Sequence, residues 1–64
     1  MPTVPQLLDF AAAHPRIRGH VEERIRTELG VRPARYCVRL NRAAASLEGQ
    51  AHYPITAHRV LRQV

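Results

Sequence analysis

The chain has no lysine, no tryptophan, one cysteine and three residues with large aromatic rings, Phe10, Tyr36 and Tyr53. A lone Cys37 excludes an internal disulfide, and with it a stapled secreted scaffold. So few rings and β-branched residues argue against a small β-barrel and for short helices packed through Leu, Ile, Val and Ala. Apolar runs are short, far below the roughly 18 residues of a membrane span, so no transmembrane segment is expected. Met1 to Ala13 lacks a basic residue and carries Asp9, which does not read as a secretory signal. The expected location is the cytoplasm. Sixty-four residues leave room for one core, so residues 1–64 are read as a single compact all-α domain of three to four helices.

What the chain does have is arginine. All ten basic residues are Arg, and the net charge is +5. Residues 1–31 hold four Arg against Asp9, Glu22, Glu23 and Glu28 and are neutral. Residues 32–64 hold six Arg against Glu48 alone and carry the whole excess. Arginine offers a planar fork of donors that matches phosphates and base edges, so a one-sided Arg surface points to a polyanion, with DNA as the expected partner. A GC-rich genome also produces an Arg-only set, and a solvated face that keeps a small protein soluble is the plainest role for such charge.

Periodicity places four helices. Thr3-x-x-Gln6 has capping-box spacing and Val4, Leu7, Leu8 and Ala11 share a face, giving a helix over about 4–13 that His14-Pro15 ends. A second helix over 15–29 carries Ile17, Val21, Ile25 and Leu29 at intervals of four, with Gly19 as a weak point within it and Gly30 as its end. A third, over 33–48, opens at Pro33 and buries Tyr36, Leu40, Ala43 and Leu47 before Glu48-Gly49 closes it. Its cap is poor, because Arg32 stands where Ser, Thr, Asp or Asn would serve. Residues 50–54 read as a loop. A last helix over 56–63 places Ala57, Val60, Leu61 and Val64 inward and Arg59 and Arg62 outward.

The stretch from Glu22 to Arg42 has the spacing of a helix-turn-helix: an amphipathic helix, a turn made by Gly30, then a helix opened by Pro33. Leu8-Asp9-Phe10, Glu23 to Arg26, Leu29-Gly30-Val31, Ala34-Arg35-Tyr36 with Leu40-Asn41, and Arg59-Val60-Leu61-Arg62 carry a further likeness over residues 6–63. Together they resemble a family of small, uncharacterised actinobacterial and actinobacteriophage proteins, itself similar to helix-turn-helix proteins. The resemblance implies the fold more than the activity, with a bacterial cell or a phage-infected host as the setting. At position 39 that family has an apolar residue near the core. The Arg39 found here is expected to run its stem along the helix and carry its charge outward.

On a helical wheel Arg32, Arg35, Arg39 and Arg42 fall within an arc of about 80°, a basic ridge along the third helix. Ala34, Cys37, Val38, Asn41 and Ala45 form a separate sector, in which Asn41 is the strong hydrogen-bonding residue. Two readings follow. In the first, Arg32, Arg35, Arg39, Arg42, Arg59 and Arg62 bind the DNA backbone, with Arg35 and Asn41 the candidates for base contacts. In the second, Ala34, Cys37, Val38 and Ala45 pack on a protein, either a second copy in a homodimer or a host factor. His14, His20, His52, His58 and Cys37 lack the spacing of a zinc site, and no nucleophile is placed beside a base. No metal, cofactor, small-molecule substrate or catalytic residue is expected.

Overall fold

Thr3 sets the start of the first helix. In the computed structural model, which describes residues 2–62, its hydroxyl accepts from the Gln6 N–H at 3.3 Å and the Gln6 side chain accepts from the Thr3 N–H at 2.8 Å. This reciprocal cap opens α1 (Val4–Ala13), with Pro5 in the first turn, where it costs no intrahelical bond. His14 closes the helix. Its backbone N–H and its Nδ1 both meet the Phe10 carbonyl, at 2.9 and 3.2 Å, and its ring stacks on Phe10 with centroids 4.3 Å apart.

Because His14 is committed to α1, it caps nothing beyond Pro15, and the second helix does not start there. Arg18 is extended, at φ −132° and ψ 172°, and α2 runs over Gly19–Arg24. The expected start at residue 15 is therefore corrected to Gly19, the weak point in the pattern, and Ile17 is left exposed instead of joining the buried stripe. The helix continues as a π-helical turn over Ile25–Leu29, in which the Thr27 hydroxyl donates to the Glu23 and Arg24 carbonyls. Such back-bonding competes with the regular α ladder and suits a widened turn. Gly30 ends it at φ 69°, a left-handed conformation in which a side chain would be strained.

α3 (Pro33–Ala45) opens at the expected proline but stops three residues before the expected end. The cause is Ser46, whose hydroxyl donates to the Ala43 carbonyl at 2.6 Å and accepts from the Gly49 N–H at 3.0 Å. One side chain thus caps the end of α3 and the start of α4 (Leu47–His52). The loop expected over 50–54 is helix up to His52, with Tyr53 as the only link to α5 (Pro54–Arg62). α5 begins two residues earlier than expected, since Pro54 is a favoured first-turn residue. Leu47, expected in the α3 stripe, now starts a new helix and is 91% exposed. Leu61 is exposed rather than inward, because α5 buries only Ala57 and Val60. The expected helix end at residue 63 and the inward Val64 fall outside the described residues.

No strand occurs among the described residues, and the all-α expectation is met. α3 packs on both α1 and α5, which also touch each other, and α4 lies against all three. The core joins Leu7, Leu8, Phe10 and Ala11 of α1 to Val21 and Ile25, to Tyr36, Ala43 and Ala44 of α3, and to Ala57 and Val60 of α5. Four of these eleven are alanine, which lets short helices approach closely enough to exclude water around few large side chains. The closest approach is at Gly49, where an added Cβ would collide with the Ala43 carbonyl and press on Leu8 at 3.2 Å.

Gly49→Ala is expected to destabilise the fold by about 1–3 kcal/mol, because a backbone carbonyl cannot move aside as a flexible side chain does. Gly19→Ala meets nothing within 4 Å and is expected to be neutral or stabilising. Urea unfolding of the two variants checks the contrast, and equal midpoints would contradict the packing of α4 on α3.

Candidate nucleic-acid interface

Tyr36 orients α3. Its ring is 1% exposed and meets Phe10 edge-on, with centroids 5.6 Å apart. With Tyr36, Ala43 and Ala44 turned into the core, the 3.6-residue period turns Ala34, Arg35, Cys37, Val38, Asn41, Arg42 and Ala45 outward, and all seven are exposed. No acidic residue lies between Gly30 and Leu47. Among the described residues the one ion pair is Arg24 to Glu28, at 3.2 Å and away from α3. The α3 arginines therefore stand side by side without a carboxylate to neutralise them.

The ridge separates two grooves. On the side of the turn, Arg32, Arg35 and Arg39 line a groove of about 550 Å³ together with Pro2, Leu29, Gly30 and Val31. On the other side, Arg35, Arg39 and Arg42 line a groove of about 390 Å³ with Ala34 and Val38. Arg39 is partly buried, and its Nε is fully covered and has no hydrogen-bond partner. Ala34 and Val38, expected as part of a protein-binding patch, share a groove with the arginines expected to meet DNA. The two sets form one surface, with Cys37 and Ala45 exposed beside it.

The family model described as Protein of unknown function (DUF3263) matches residues 4–64. The chain belongs to this family. No curated protein and no solved structure gives a significant match.

Two of the expected contacts in this DUF3263 chain are committed elsewhere. The Asn41 amide donates to the Cys37 carbonyl one turn back, at 3.1 Å, which occupies one of its two N–H donors and holds the side chain along the helix. Arg59 was expected to point outward, yet it is partly buried and donates to the Ala11 carbonyl at 2.8 Å across a sequence distance of 48 residues. The correction has a simple cause: α1 has no basic residue in its last turn, and its unpaired end carbonyls attract a cation. A wheel shows which way a residue faces but not which helix end it faces. Arg62 is exposed and lines a third groove with Pro54, Ile55, His58 and Arg59, apart from the two that flank α3. In the DUF3263 chain the expected set thus divides into Arg32, Arg35, Arg39 and Arg42 on the ridge, Arg62 on α5, and Arg59 as a structural tie. No group of three His, Cys, Asp or Glu side chains suited to a metal occurs among the described residues.

Burial pushes the Tyr36 hydroxyl up to about 12 from 10.0; the neighbouring Cys37 adds to the rise and the Arg59 guanidinium opposes it. Tyr53 is raised as well, first by lost solvation and then by the Asp9 carboxylate. For Tyr36 the folded value lies above the unfolded one, so its contribution to stability is complete below pH 10 and is lost as pH rises from 10 through 12. The urea midpoint should fall over that range and do so less in Tyr36→Phe; equal falls in both proteins would place the alkaline loss elsewhere. Arg59→Met should leave the Ala11 carbonyl without its donor and cost about 1–3 kcal/mol. Calorimetry reads that loss, and an unchanged melting temperature would remove Arg59 from the structural frame.

Proposed function

We propose that this chain is a small DNA-binding protein of helix-turn-helix type that grips the duplex through its phosphates, a transcription-associated regulator of actinobacterial or actinobacteriophage origin. The observation that carries the reading is the α3 ridge: Arg32, Arg35, Arg39 and Arg42 on one side of one helix, with no carboxylate partner among the described residues. Four like charges so close repel one another, and an external polyanion relieves that repulsion while releasing its own counterions. The helix before the ridge and the Gly30 turn supply the first helix and the corner that the motif requires. With the four ridge arginines on phosphates, base reading is left to Asn41, whose amide already donates to the Cys37 carbonyl.

A second reading, a protein-interaction module working through Ala34, Cys37, Val38 and Ala45, draws on Val38, which is 55% exposed. Pairing two copies on this face would bring both sets of Arg35, Arg39 and Arg42 together without compensation. Charge therefore favours an acidic host protein over a homodimer as the occupant in this second reading.

Fluorescence anisotropy with a random-sequence duplex tests the first reading. Log affinity should fall linearly with log salt with a slope of about −4, and Arg42→Ala should reduce the slope by about one while binding remains measurable. Absence of binding even at low salt would overturn it, and an acidic partner protein would then be the ligand to seek.

A further inference from the structure

The groove on the turn side of the ridge is more than a stretch of basic surface. Three guanidinium side chains, Arg32, Arg35 and Arg39, line it with no carboxylate among them. Pro2, Leu29, Gly30 and Val31 complete its lining. The Arg39 Nε is covered by protein and makes no hydrogen bond, so contact with the groove is left to the outer end of that guanidinium. α3 also begins here uncapped: Arg32 makes no side-chain cap, and Pro33 at the first position leaves the Ala34 and Arg35 N–H groups as the nearest free backbone donors.

We propose that this groove is a discrete phosphate-binding site, in which one phosphate group is held by the Arg32, Arg35 and Arg39 guanidiniums beside the start of α3. The proposal rests on the DNA-binding reading for its physiological source, a backbone phosphodiester, although free inorganic phosphate has the same chemistry. The forked guanidinium donors match the tetrahedral oxygens, and the partial positive charge at the helix start adds to the same field. The groove thus anchors one backbone phosphate and sets the register of the ridge along the strand.

The test uses the full ¹⁵N-labelled chain, titrated with sodium phosphate against sodium chloride at equal ionic strength. Phosphate alone should produce saturable shifts in the amides of residues 30–36 other than Pro33 and in the side-chain N–H groups of Arg32 and Arg35. Arg39→Met, which keeps the apolar stem, and Arg32→Gln, at an exposed position, should each weaken phosphate at least about fivefold. Thermal unfolding checks that both variants remain folded. Shifts that are linear and shared with chloride, or an affinity unchanged in both variants, would overturn the site. A short duplex in place of phosphate then separates the sources. Saturation by the duplex at the same amides assigns the groove to a phosphodiester, whereas saturation by phosphate with the duplex inert keeps the site and removes the DNA reading. Duplex binding without phosphate saturation, and undiminished in both variants, removes the site and keeps that reading.

Discussion

The Arg59 guanidinium on the Ala11 carbonyl decides how the last helix meets the first. α1 ends with neither a basic side chain in its final turn nor a residue beyond it free to cap, since His14 is already spent on the Phe10 carbonyl. A cation from α5 fills that need, and in doing so brings Ala57 and Val60 down on the core around Tyr36 and the end of α1. With α1 and α5 both against it, α3 has only one direction left in which to expose its remaining residues. The outward ridge follows from the inward tie.

That geometry gives the arginines opposite roles although they look alike in sequence. Arg59 acts on a helix carbonyl within the fold, and Arg24 pairs with Glu28 on the surface. The α3 arginines have no counterpart, and the acids that might have served, Asp9, Glu22, Glu23 and Glu48, lie on other helices. A face that existed only for solubility would gain nothing from covering a guanidinium nitrogen as Arg39 Nε is covered, because each buried unpaired donor is a cost to folding. An external anion answers the uncompensated charge, while the covered Nε, out of reach from outside, remains a cost to folding.

The sequence was legible where local chemistry acts alone. The Thr3-Gln6 box, the His14-Pro15 stop, Gly30 and Pro33 are each decided within a few residues, and the bounds of α1 and the start of α3 are where those signals put them. The break at Ser46 was not legible, because an apolar stripe running on to Leu47 reads as one helix and only tertiary packing reveals the second. A Ser three residues before the Gly49 N–H was the signal available, and it is a common pairing. In the candidate site, the wheel placed the ridge and the exposed sector. It could not assign Arg59 to α1 or fold the Asn41 amide onto Cys37, since both depend on acceptors that periodicity does not show.

Backbone gripping and apolar contact are usually weighed as rivals at such a surface, but here Arg35 and Arg39 line both grooves at once. On the proposed reading the ridge arginines hold phosphates, so the polar code of the major groove would go largely unread beside an apolar floor of Ala34 and Val38 suited to a thymine methyl. On that reading one small apolar patch would discriminate bases weakly, while four unpaired charges would hold any phosphate strand. The balance of residues on α3 therefore favours affinity over selectivity, and selectivity would have to come from the shape of the DNA or from a second protein bound beside it.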